Sequence, residues 1–170
     1  MKISGKAQLA RAYRFARGRY GPRRDESVQF SIGQLQGRIL KTQCIESLAD
    51  AEFQVFSQWG EDGIIQFIIN QIEIRSKTFV EFGVQDYSES NTRFLLMNIN
   101  WRGVIIDGAG AHQQFLRKNG LDWRHDIRAV KSFITAENIN RLLNDSGMVG
   151  DLGILSVDID GVDYWALSAI

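Results

Sequence analysis

Three short apolar runs constrain this chain more than any other feature, because each ends on acids and glycines at a predictable place. Thr78-Phe79-Val80-Glu81-Phe82 stops at Gly83, Gly103 to Ile106 closes on Asp107-Gly108, and Leu152 to Ile159 runs into Asp158, Asp160 and Gly161. Runs this short and this continuously apolar read as strands buried on both faces. Helical patterns separate them. Ile64, Ile65, Phe67, Ile68 and Ile72 recur at helical spacing behind Glu61 and Asp62, acids that favour the positive end of a helix dipole. Ser90 to Asn100 carries Phe94, Leu95, Met97 and Ile99, and further helices are predicted over His112 to Asn119 and Ala136 to Asn144, with a weaker strand over Trp123 to Ile127. Strands alternating with helices predict an α/β fold, a parallel sheet with right-handed crossovers and helices on both faces.

Composition sharpens this in two ways. The 170 residues balance 20 basic against 20 acidic side chains, but eight of the basic ones and no acid fall in residues 1–24. The remainder is therefore strongly acidic, which argues against a nucleic-acid partner. Within the basic arm Leu9, Ala12, Tyr13 and Ala16 share a helical face, a pattern suited to peripheral contact with an anionic membrane, to a partner, to an Arg-rich transit peptide, or to a merely solvated extension. No apolar run approaches the roughly 18 residues of a membrane span. Cys44 is the only cysteine, so no internal disulfide forms and a cytoplasmic setting is expected. Three segments follow: a basic arm (1–24), a lead-in segment (25–52) and an α/β domain (53–170). In the lead-in, Gly33 and Gly37 are read as breaks in any long helix, leaving one short helix near Cys44 to Ala49.

Ligands of open parallel sheets lie beyond the carboxyl ends of the strands. The residues to watch are thus Glu81 with Gly83, Asp107 with Gly108, Asp126, and Asp158 with Asp160. Asp107 follows Glu81 by one strand-helix-strand unit, where an acid can accept hydrogen bonds from a ribose diol. The turn Gly83-Val84-Gln85-Asp86-Tyr87-Ser88 has one glycine and is followed by Glu89, so a pyrophosphate would meet repulsion. A cofactor without phosphates fits better, and S-adenosyl-L-methionine is the obvious one.

The run Phe56-Ser57-Gln58-Trp59-Gly60-Glu61-Asp62, then Phe79-Val80-Glu81-Phe82-Gly83, Glu89-Ser90-Asn91-Thr92, Trp101-Arg102-Gly103-Val104-Ile105-Ile106-Asp107 and Leu155-Ser156-Val157-Asp158-Ile159-Asp160-Gly161 resembles the FkbM-like S-adenosylmethionine-dependent methyltransferases. The resemblance implies a Rossmann-like class I methyltransferase sheet and O-methylation of a sugar hydroxyl in polysaccharide, glycolipid or natural-product assembly. It implies that Glu81, Gly83, Ser90, Asn91, Asp107, Gly108 and Asp126 border the cofactor, with Asp158 at the rim facing the methyl group. The sequence departs from the family where Gln85 and Tyr87 replace an asparagine and a second glycine. It departs again where Asp107-Gly108 replaces a glutamate-proline. Such a sheet has about seven strands, and four are counted here, so the domain is expected to be incomplete after the fourth.

Methyl transfer to a hydroxyl needs in-line placement and a base. Asp158 and Asp160, two apart on the predicted strand, are expected to share a side, either acting directly or holding a divalent metal ion. Asp163 is a third acid, and His125 is the rival base. Trp59, Trp101, Trp123 and Trp165 are candidates for stacking on a glycan or small-molecule acceptor. Three other readings stay open. Asp158-Ile159-Asp160-Gly161 resembles the signature of haloacid-dehalogenase-like phosphatases, the two aspartates also fit a metal-binding pair of a nucleotide-sugar glycosyltransferase, and the domain could bind a glycan or a protein without catalysis.

Overall fold

The computed structural model describes residues 26–148 and 150–170. The predicted basic arm, with its amphipathic segment, lies outside the described residues. The first described element is helix α1 (Glu26–Ile39), followed by a 3-10 turn (Leu48–Ala51) and α2 (Glu61–Gln71). Then come β1 (Thr78–Phe82), α3 (Arg93–Ile99), β2 (Arg102–Asp107), α4 (Ala111–Asn119), the single-turn α5 (Leu121–Arg124) and β3 (Ile127–Lys131). The chain continues through α6 (Ile139–Asp145), β4 (Ile154–Val157) and α7 (Asp163–Ser168).

The four strands form one all-parallel sheet in the order β3-β2-β1-β4. This is the Rossmann-like α/β arrangement that the alternation predicts. Period-two alternation splits the core between its faces. Phe79 and Ile105 point with Leu95, Leu96, Trp101, Leu116 and Leu121 into one layer, under α3 to α5. Val80, Phe82, Val104 and Ile106 meet Ile139, Leu142 and Ala166 in the other, under α6 and α7. A fully buried side chain of this kind contributes roughly 1.5–3 kcal/mol, so the two layers fix the register. Gly103 belongs to the same packing, since a Cβ there would stand 2.2 Å from the Phe79 ring.

Two expectations are overturned. The lead-in segment carries a long helix: α1 runs unbroken through Gly33 and Gly37, both buried, and joins a third core cluster of Leu40, Ala51, Phe53, Val55, Phe56 and Phe94, while the short helix expected near Cys44 to Ala49 is the 3-10 turn at Leu48–Ala51. Gly33 is a contact point rather than a helix breaker, because a Cβ there would meet Val55 Cγ2 at 2.2 Å. The Trp123 to Ile127 strand is also misplaced. Residues 121–124 form a helical turn and the strand begins at Ile127. As an edge strand with Arg128 and Lys131 exposed, β3 lacks the continuous apolar signature of β1 and β2.

Candidate functional site

Winding turns back between β1 and β4: β2 and β3 lie on one side of β1, and β4 lies on the other. Ligand crevices of open α/β sheets form at such a reversal, outside the carboxyl ends. A cleft of about 770 Å³ lies there. Its lining includes Glu81, Gly83, Ser90, Asn91, Asp107, Gly108, Asp158 and Asp160, all named from the sequence.

Glu81 is buried, and its side chain is spoken for by the protein. The carboxylate accepts hydrogen bonds from Ser90 Oγ (2.6 Å), Asn91 N (2.9 Å), Thr92 N (3.1 Å) and Thr92 Oγ1 (2.5 Å). Burial pushes its pKa up, and these donors pull against that shift. The Asn91 side chain in turn donates to Ser156 Oγ at 3.3 Å, bridging to β4. Glu81, Ser90 and Asn91 therefore brace the wall that leads into α3.

Gly83 has φ +84°, and a Cβ on it would fall 1.7 Å from the Asp158 carbonyl oxygen. The strand ends approach too closely there for any side chain. Beyond it, Gln85 and Tyr87 take φ +50° and +70°, in the left-handed region that glycine and asparagine favour. Those are the two loop positions where the sequence departs from the FkbM-like pattern that it resembles. Holding these two residues in left-handed backbone costs roughly 1–2 kcal/mol each. Burial of Tyr87 and bonds from Tyr87 N to Val84 O (2.7 Å) and from Gln85 N to Asp107 Oδ2 (2.9 Å) hold it.

Asp107 receives that bond on one oxygen and Ala109 N (2.7 Å) on the other. It stays half-buried, and each carboxylate oxygen retains a lone pair for a ligand. Beside it, the exposed Phe133 ring lies over Gly108, where a Cβ would come within 2.7 Å. Behind it, buried His112 has a ring nitrogen 3.0 Å from Val130 O, tying α4 to β3, and burial pushes its pKa down.

Asp158 and Asp160 line the cleft, but strand alternation does not place them. β4 ends at Val157, and Asp160 adopts φ +55° in the following loop. Asp163 clamps that loop, accepting Ile159 N (2.6 Å) and Gly161 N (3.0 Å), bonds that hold its own pKa down. The Asp158 carboxyl is pushed up, first by desolvation and then by the charges of Asp163, Asp160 and Glu61.

His125 and Asp126 are not part of this assembly. They precede β3, and Asp126 O accepts Gly103 N at the start of β2, so both sit at the amino rim, across the sheet from the cleft. Of the four tryptophans, Trp101 is buried in the core, while Trp59, Trp123 and Trp165 are exposed.

Sequence reasoning missed three contributors. Phe133 and Ile134 line the cleft just beyond β3, and the misplaced strand hid them. Asp62 is a buried clamp rather than a dipole acid: its Oδ2 accepts Val55 N, Phe56 N, Ser57 N and Ser57 Oγ at 2.7–2.9 Å, shaping the loop before Gln58 in the cleft wall.

Six acids line the cleft, and no lysine or arginine among the described residues does. Among those residues no three His, Cys, Asp or Glu side chains are grouped to hold a metal ion, and no helix is long and apolar enough to cross a membrane. No family model, curated protein or solved structure matches the chain.

Proposed function

We propose that the chain is an S-adenosylmethionine-dependent O-methyltransferase of the FkbM-like kind, acting on a glycan or small-molecule hydroxyl in a cytoplasmic setting. The observation that carries this reading is the charge of the switch-point cleft, with six acids and no lysine or arginine among its described lining residues. A pyrophosphate would be repelled there, whereas a sulfonium cation is attracted. The residues fit an adenosyl group. Asp107 has free lone pairs at the end of β2 for a ribose diol, and Phe133 beside Gly108 offers an aromatic wall for a flat ring. Bound there, the cofactor supplies an activated methyl group to a hydroxyl held in line with it.

Asp158 is the proton acceptor in this reading. Desolvation and three neighbouring acids raise its affinity for a proton, which suits a carboxylate to general-base work. Asp160 adds negative charge beside it. The acceptor is expected to enter over the loop that Asp163 clamps. Contact of the basic arm with an anionic membrane surface would suit a lipid-linked acceptor.

A melting-temperature comparison tests the reading. S-adenosylmethionine and its demethylated product are expected to raise the melting temperature of the full chain, and NAD and ATP are expected to leave it unchanged. Stabilisation by NAD or ATP without any by the adenosyl sulfonium would reject the proposal.

A further inference from the structure

At the amino rim a second cavity, of about 500 Å³, opens between α1, α2 and α3 and the residues that lead into β1 and β2. Its chemistry is the reverse of the cleft's. Arg38, Lys41 and Lys77 line it, with no acid in the lining, and no ion pair joins any of the three to a described carboxylate. Lys77 is further held over the Trp101 ring, 5.3 Å from its centroid. Cations left unpaired around one concavity repel one another, so a fold gains from an anion that fills it.

The amide groups of the lining point to the same ligand. Gln66 is only 5% exposed, its Nε2 is enclosed without a hydrogen-bond acceptor, and a half-turn of the amide exchanges that NH2 with Oε1, which lies beside Gly37 of the cavity lining. A buried donor without a partner is unfavourable. Gln34 and Asn98 join their amides at 3.1 Å, and whichever way the two are turned, one NH2 of the pair remains as a donor. Three cations and two amide donors, with no carboxylate, form a site for a multiply charged oxyanion, since each phosphoryl oxygen accepts several hydrogen bonds.

We infer that this amino-rim cavity binds a small phosphoryl oxyanion through Arg38, Lys41, Lys77 and the Gln66 amide. The site is separate from the carboxyl-rim cleft and does not depend on the cofactor reading. Its size exceeds a bare phosphate, so pyrophosphate or a phosphoester fits better than orthophosphate.

The full chain, labelled with 15N in a phosphate-free buffer of low ionic strength, is titrated with inorganic pyrophosphate, and the Trp101 indole and Gln66 side-chain amide signals are followed. Saturable shifts are expected, with a Kd of about 1 mM or tighter. The Arg38→Gln/Lys77→Gln variant is expected to weaken binding at least tenfold, about the loss for two charge-assisted contacts. Gln66→Met weakens it about threefold, on the order of one neutral hydrogen bond, and Asp107→Ala leaves it unchanged. Shifts that stay linear to about 20 mM, far beyond that Kd, would overturn the proposal. So would saturable binding that the double variant leaves within twofold, because the anion would then sit elsewhere, the basic arm included.

Discussion

The two rims of one parallel sheet carry opposite chemistry. At the carboxyl rim, Glu81, Asp107, Asp158 and Asp160 ring a cleft with no cation among the described lining; at the amino rim, Arg38, Lys41 and Lys77 ring a cavity with no acid. A parallel sheet makes its ends inequivalent, and this chain places opposite charges on them. The buried polar groups differ as well. Glu81 has a donor for each lone pair it uses, whereas Gln66 has a donor without an acceptor. One rim is braced by its own side chains, and the other is left for a ligand to complete.

The largest effect should come from closing the carboxyl rim at its tightest point. Gly83→Ala places a Cβ 1.7 Å from the Asp158 carbonyl at φ +84°, and is expected to destabilise the fold by about 3 kcal/mol or more, read by urea unfolding. A variant as stable as the parent would mean that the β1 and β4 ends do not meet as described.

Glu81→Gln comes next. The amide would turn an NH2 toward one of two fixed backbone donors, Asn91 N or Thr92 N, at a cost of roughly 1–3 kcal/mol. Gln66→Met is the contrasting change at the other rim. It removes an unpaired donor at nearly constant volume, so stability should hold or rise by up to about 1 kcal/mol. If both substitutions destabilised equally, the distinction between a braced rim and an open one would fail.

The smallest effect concerns Asp158. Its pKa is raised on folding, so the wild type loses stability as pH climbs from the ordinary aspartate range through the folded value, and the loss is complete above it. Asp158→Asn should flatten that part of the profile. Because the group is exposed to solvent, the gain at neutral pH is at most about 0.5 kcal/mol. Matched denaturation series from pH 3 to 8, a range chosen to span the ordinary carboxylate values, would detect it; parallel profiles would contradict the charge cluster.

Much of this was legible in the chain. Thr78 to Phe82 is a strand with the predicted bounds, and the second strand begins one residue before the expected Gly103, because continuous apolar runs between acids and glycines allow few alternatives. The failures have specific causes. Gly33 marks a close approach of Val55, which no local pattern announces, and the edge strand β3 alternates instead of running apolar. That second error carried Asp126 and His125 to the wrong rim and hid Phe133. Glu81 looked like a ligand-binding acid because its four donors come from a segment nine to eleven residues away, brought back only by the fold.

Calorimetric titration with S-adenosylmethionine tests the central claim most directly. The full chain is expected to bind it saturably at one site, and Asp107→Ala, while keeping its fold, is expected to bind at least tenfold more weakly, about the loss of a charge-assisted pair of hydrogen bonds. No saturable heat from the folded wild type, or equal affinity in the variant, would contradict the assignment of the carboxyl-rim cleft.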